Sequence, residues 1–440
     1  MPSGIAEKMI RIERGFVPQE SMMPSHHNVR VTLFLTAVTW LSGLLVASDS
    51  FGSDWPNILG PQRNGIAVEE KLSDKWPTGG PRSVWEAKIG SGFAGVAVAD
   101  GIAILFHRLA DEDTLSAYEA ESGKPLWSQG FPTDFQPQIG DDDGPRAVPT
   151  IHKGRIYAFA GAGGLYCAEL KTGSVLWQRQ THKEFRAPAG YFGAGSAPLV
   201  EGKVVIVNVG GDKDGAGIVA FDLDSGKTVW KATSEQASYS SPLVTVVDGK
   251  RVVLCITRLN LVALDSATGN ELARTPFGQR GPTVNGAMPV VMGNRILLTA
   301  SYGIGAELVE IGRNKFDVVW NDEVLSSQYT TPIIHDGAVF GIDGRQDGGP
   351  VSLKCFDPET RKIHWTKSGL AYATLIAADG KLLVMQTDGT LRLAELNKSA
   401  YRELGIAKLL SGTTRALPAL ANGRLYVRNE QMLKCVELGK

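Results

Sequence analysis

The sequence predicts an all-β chain, an eight-bladed β-propeller of four-stranded antiparallel blades closed by an N-terminal strand around Trp85. Three observations carry this. A repeating unit runs from about residue 92 to the end, with Trp127, Trp177, Trp230, Trp320 and Trp365 spaced 50, 53, 90 and 45 residues apart, the 90 spanning two copies. Each copy holds four short stretches of period-two alternation, rich in β-branched residues and separated by Gly turns, which read as strands. The last copy stops one strand short, and a segment near the N-terminus matches what it lacks.

The copies follow one another in order. The first runs 96–108 and 115–127, the second 147–160 and 165–177, and the third 196–209 and 218–230. The fourth runs 240–256 and 261–273, with Leu272 near the Trp position. The fifth runs 287–300 and 307–320, and the sixth 330–342 and 352–365. The seventh runs 372–386 and 391–404, and the eighth 416–429 and 433–438. Four strands per copy at this period mean propeller blades. Residues Arg82 to Lys88 supply the missing outer strand of the eighth copy, and Trp85 supplies its Trp, so the ring closes without an exposed sheet edge.

The repeated Trp residues read as filler between neighbouring blades rather than as a binding surface. The Asp-x-x-x-Gly-Lys turns, such as the one around Asp224 and Lys227, are tight strand connections in which Gly supplies positive φ. Cys167, Cys355 and Cys435 share one repeat position where other copies carry small residues. With Cys255 they read as small buried core residues, not as disulfides or metal ligands.

Val31 to Ala47 is a 17-residue run without charge, flanked by His26, His27 and Arg30 before and by small polar residues after. This is the layout of a Sec-type signal peptide over 23–47, with a start at Met22 or Met23 and residues 1–22 as an upstream extension. The competing reading is a membrane anchor, since the run is near the lower limit for a span. Cleavage leaves a secreted or periplasmic protein with no transmembrane segment, and no Cys follows the run as a lipidation site. Residues 48–81 form a lead-in and 82–440 the propeller. A net charge of −1 gives no footprint for nucleic acid, and a closed propeller needs no second copy, so a monomer is expected.

The segments Leu115–Trp127, Leu165–Trp177 and Val219–Trp230 are variants of Leu-x-Ala-x-Asp-x-x-x-Gly-Lys-x-x-Trp. On these, the chain resembles the pyrroloquinoline-quinone-like (PQQ-like), or quinoprotein, β-propeller family over residues 82–438. The lead-in residues Trp55, Pro56, Asn57, Gly60, Pro61, Arg63 and Gly65 look like those of secreted propellers from planctomycete-like bacteria. So do Gly144-Pro145-Arg146, Tyr191 to Ser196 and Asp343 to Gln346, and that group has no characterised activity. The family resemblance implies one of two trades: a dehydrogenase holding the quinone and calcium in its funnel, or a scaffold that binds protein and no cofactor, as the outer-membrane assembly lipoprotein does.

The dehydrogenase pattern, as the resemblance implies it, stacks the quinone between a Trp and two adjacent disulfide-bonded Cys, holds calcium on Glu, Asn and Asp oxygens and uses an Asp as base. This sequence has no adjacent Cys pair and no Cys-x-x-Cys-His, and its blade Trp residues are committed to outer strands. Gly161 to Gly164 and Gly193 to Gly195 are Gly clusters with no following helix, so they are not dinucleotide loops. None of the seven His is spaced as a metal pair. Asp141 to Asp143, and Asp212 with Asp214, read as solvated acidic loops rather than calcium sites.

Propeller geometry narrows the search for a site. Loops entering each innermost strand share one face with those joining second and third strands. The entering loops give Arg146, Tyr191, Ser196, Tyr239, Asn285, Tyr329, Tyr372 and Arg415, and the second set gives Arg108, Arg258, Tyr302, Asp343 and Arg345. Arg forms bidentate bonds to anions, and Tyr stacks while keeping a polar tip. The expected function is therefore non-catalytic binding of an envelope protein or a small anionic or sugar-like ligand on this face, with no cofactor. The bland alternative is that these side chains plug the channel and pair with Asp343 and its neighbours. The enzymatic alternative is a PQQ-dependent alcohol dehydrogenase with an atypical site and calcium. A third reading, hydrolase or lyase chemistry by Tyr with Asp343, has no motif behind it.

Overall fold

The computed structural model describes residues 53–312 and 314–439 of the protein. The expected signal peptide and upstream extension lie outside them. The described residues form eight sheets, each with four antiparallel strands, arranged as eight blades. Blades 1 to 7 cover 97–132, 150–180, 199–232, 243–276, 290–322, 333–368 and 373–408. Blade 8 combines Ala419–Ala421, Arg424–Arg428 and Met432–Glu437 with the N-terminal strand Ser83–Lys88. Helix is confined to Thr181–Glu184 and a 3₁₀ turn at Asp212–Asp214 among the described residues. None of these helices is long and apolar enough to cross a membrane.

The closing strand pairs antiparallel with the third strand of blade 8, placing Trp85 opposite Cys435. The same register puts Trp177 opposite Cys167 and Trp365 opposite Cys355. All four cysteines are buried free thiols. The tryptophans do one structural job around the ring. Each indole N–H donates to a main-chain carbonyl of the next blade: Trp85 to Ala120 and Trp127 to Leu170 at 3.0 Å, for example, and Trp320 to Pro358 at 2.8 Å. The rings of Trp85, Trp127, Trp177 and Trp230 each lie on a turn glycine of that blade. A Cβ at Gly123 would stand 2.4 Å from Trp85, and one at Gly173 would stand 2.4 Å from Trp127. Gly123 has φ 72° and Gly173 φ 73°, so the position needs glycine for conformation and for space alike.

Two blades lack the tryptophan. In blade 4 the register places Ala273, not the expected Leu272, at the Trp position. In blade 7 it places Gly405 there, and Trp76 from the lead-in packs onto that glycine, with its ring 3.0 Å from where a Cβ would be.

The lead-in threads the propeller axis. Trp55 and Val98 exchange main-chain hydrogen bonds at 2.8 Å on the innermost strand of blade 1, and Ile151 of blade 2 donates to the Pro56 carbonyl at 2.7 Å. The short strand Ile66–Ala67 pairs parallel with the innermost strand of blade 7. Arg63 donates to the carbonyls of Pro198 and Ala197 in blade 3. It is buried, its Nε has no partner, and burial pushes its pKa down to about 9. The lead-in is fastened at the face carrying the turns between first and second strands. There the Asp54 carboxylate accepts from Asp100 N–H, that of Glu70 from Asn422 and Gly423, and that of Asp379 accepts from Leu72.

Candidate functional site

The opposite face is built from one register position. Three residues before the Pro that opens most innermost strands stand Arg146, Gly195, Tyr239, Gly286, Tyr329 and Arg415, with Phe93 and Tyr372 at the matching place in blades 1 and 7. Neighbours in this ring touch. The guanidiniums of Arg146 and Arg415 lie 5.0 and 4.8 Å from the centre of the Phe93 ring. A Cβ at Gly195 would stand 3.1 Å from Tyr239, one at Gly286 would stand 2.6 Å from Tyr329, and the Tyr329 and Tyr372 rings are 4.6 Å apart. Beneath the ring, Val148, Ala197, Met288 and Leu417 pack in one apolar cluster with Ile58 and Leu59 of the lead-in. The face therefore has a solid floor where the sequence reading expects a funnel.

The residues singled out from sequence fall into two neighbourhoods. The first gathers Arg415, Arg146, Tyr239, Tyr191, Arg258 and Asn285. Arg146 donates to the carbonyls of Phe192 at 2.7 Å and Asp142 at 2.8 Å, and its Nη1 faces the Asp142 carboxylate at 3.4 Å. The Tyr239 hydroxyl accepts the Phe192 N–H at 3.2 Å. Arg258 donates to the carbonyls of Thr283 and Gly281 and lies 5.8 Å from the Tyr191 ring centre. Asn285 is buried and donates to the Arg258 carbonyl, while its Oδ1 has no partner. Arg415 is exposed and makes no hydrogen bond or ion pair with any described residue; the Phe93 ring is its support.

The second neighbourhood belongs to blades 5 and 6. Arg345 covers the Tyr302 ring at 4.5 Å and grips Asp347 with two bonds of 2.9 Å. It does not pair with Asp343, which accepts the Ser326 N–H at 2.8 Å and an ion pair from Lys354 at 2.8 Å. Gln328 bridges Tyr302 to this cluster, Tyr329 donates to Gln346, and the Tyr372 hydroxyl accepts the N–H groups of Tyr329 and Thr330. Arg108, Asp343 and Arg345 stand on the ends of second strands (Ile102–Leu109 and Ala338–Arg345) rather than in loops, a correction to their expected placement.

Several sequence readings change here. The acidic run 141–143 is not simply a solvated loop: Asp142 accepts from Gly92 and Gly144, and Asp143 pairs with Arg108, which also holds the buried Asp113 at 2.8 Å. Ser196 is buried with no partner for its hydroxyl. Phe93, the ring shared by two arginines, escaped the sequence search. Aligning the first copy at the register of Arg146 would have found it.

The quinone and calcium implied by the family resemblance were tested against the residues present. A flat cofactor needs two free faces to lie between. Phe93 is already covered by arginines, Tyr329 and Tyr372 pack on each other, and the four cysteines are buried apart in separate blades. Among the described residues no three His, Cys, Asp or Glu side chains gather as a metal set. The residues do not fit the group.

A family model described as outer membrane protein assembly factor BamB matches residues 77–184 and 136–367. The chain belongs to the PQQ-like β-propeller family. No curated protein matches it. Among solved structures, this PQQ-like propeller is similar to BamB from Moraxella catarrhalis, with 20% identity and a TM-score of 0.58 over 81% of this chain and 100% of that one. It is also similar to a quinohemoprotein alcohol dehydrogenase from Comamonas testosteroni, with 15% identity and a TM-score of 0.61 over 88% and 81%. A computationally designed protein, Ika8, shares the fold at 14% identity and a TM-score of 0.57, over 82% of this chain and 100% of that one. At these identities the likeness speaks for the fold of the PQQ-like propeller and not for its chemistry.

Proposed function

We propose that this protein is a non-catalytic binding propeller, exported to the periplasm or beyond, that presents its Arg/Tyr face to an envelope protein or a small anionic or sugar-like ligand. The observation that carries this reading is the solid floor. With the axis filled by Val148, Ala197, Met288 and Leu417 over Ile58 and Leu59, the face is shallow, and its polar content is a rim of arginine and tyrosine. Partly buried Arg146, Arg258, Tyr191, Tyr239 and Tyr302 have the stem area and held geometry that binding surfaces favour. Similarity to a family described as an assembly factor supports a protein-binding role.

The test has two arms. Purified protein is titrated with PQQ and calcium while thermal stability and visible absorbance are followed. The expected result is no saturable change, and saturable quinone absorbance would replace this reading with the dehydrogenase alternative. Capture from envelope extract is then compared between wild type and Arg146→Ala, Arg258→Ala and Arg345→Ala. A partner retained equally by all four proteins would remove this face from the binding role.

A further inference from the structure

We propose that Arg415, beside Arg146 on their shared Phe93 ring, is the anchor for a side-chain carboxylate of an acidic polypeptide. This rests on the reading of the face as a binding surface and names its partner's chemistry. Two guanidiniums within 5.0 Å of one ring centre repel each other; burial lowers the proton affinity of Arg146, and Arg415 adds to the effect. Arg146 is already spoken for by Asp142 and by two carbonyls, and Asp142 in turn holds the N–H groups of Gly92 and Gly144. Arg415 has only the ring beneath it, which pre-positions its planar fork without using any of its donors. An incoming anion gains the whole fork and relieves the repulsion.

The surrounding charges select the class of anion. Asp142 pairs with Arg146, and Asp347 lies within electrostatic reach of Arg415 while gripped by Arg345. Asp142 and Asp347 are each paired with another arginine and Arg415 has no carboxylate of its own, so a singly charged carboxylate suits it, whereas a doubly charged phosphate meets the repulsion of both carboxylates. The filled floor leaves no depth to enclose a small metabolite, so the rest of the contact area must come from a chain lying across the rim towards Tyr239 and Tyr191.

The experiment uses the protein made from its full coding sequence, purified as the host processes it, with fluorescein-labelled hexaglutamate as probe and hexaglutamine as its neutral counterpart. Anisotropy is read at low salt. Hexaglutamate is expected to bind and hexaglutamine not. Arg415→Ala should weaken binding about tenfold, Arg415→Lys should recover part of the loss, and Arg402→Ala, which removes an exposed arginine just before the outer strand of blade 7 that is paired with Glu395, should change nothing. Arg415 is exposed, so a melting curve identical to wild type is the folding control. Wild-type affinity in Arg415→Ala would overturn the anchor, as would inorganic phosphate displacing the probe at lower concentration than acetate. If Arg415→Ala is silent while Arg258→Ala or Tyr191→Ala weakens binding, the anchor fails and the face stands; if no variant of the face matters, both fail.

Discussion

Trp76 occupies the place beside Gly405 that blade 7's own tryptophan would fill. The residue comes from the lead-in, hundreds of positions away in sequence, yet it packs against the same apolar cluster as Trp85 and Leu404. The indole belongs to the ring of inter-blade tryptophans in space and not in the repeat. Removing it opens a gap that the fold cannot fill from blade 7. Trp76→Ala is expected to destabilise the protein by about 1–2 kcal/mol, less than a fully buried tryptophan because Trp76 is half-buried. Chemical denaturation with an unchanged slope would show it.

Trp85→Ala should cost more. Trp85 is buried, donates to Ala120 and stacks near Tyr118 and Tyr426 with centroids 6.1 and 5.9 Å away. It also sits on the strand that closes the ring. A loss of about 3–5 kcal/mol is expected, with a lower melting temperature and earlier proteolysis between residues 82 and 90. A variant as stable as wild type would show that the closing strand holds without its indole.

His107 gives the fold a dependence on acid. It is buried at 1% exposure, its Nδ1 accepts the Gly90 N–H and its Nε2 faces Ser116. Desolvation pushes its pKa down to about 3 from 6.5, with Arg428 adding to the effect. Between those values the unfolded chain binds a proton that the folded one refuses. Stability therefore falls as pH drops from about 6.5 towards 3, by up to a few kcal/mol. His107→Gln keeps the acceptor for Gly90 and removes the titration, so its stability should fall less steeply over that range in parallel denaturant titrations. Equal slopes would refute the assignment.

The cysteines should be silent in the native state. Burial pushes the Cys167 thiol up to about 11 and the Cys255, Cys355 and Cys435 thiols up to about 12. A disulfide-exchange reagent at neutral pH is expected to titrate none quickly in the folded protein and all four after denaturation. Fast native reaction of even one would mean a blade opens on the assay timescale.

Much of this architecture was legible because its signals are local and repeated. Each blade carries its own alternation, its own Gly turn and usually its own Trp, so the count of eight and the closure at Trp85 follow from register alone. The lead-in was not legible. Trp55, Arg63 and Ile66 pair with Val98, Pro198 and Ala377, partners separated by 43 to 311 positions with no periodic signal to link them. The face was half legible. Loop position brought Arg146, Tyr239 and Arg415 together, but which carboxylate Arg345 takes depends on side-chain direction, and the nearby Asp347 wins over Asp343, already taken by Lys354.

The anchoring of the lead-in also gives the molecule a back and a front. Ser53 is held by Glu70 beside the Asn422–Gly423 turn, and Gly439 donates to the carbonyl of Gly423 in the same turn. Both ends of the described chain thus leave from one side, and the arginine and tyrosine rim looks out from the other. A surface attachment made at Ser53 or at Gly439 would mount the propeller like a plate on its stand, with the rim turned outward.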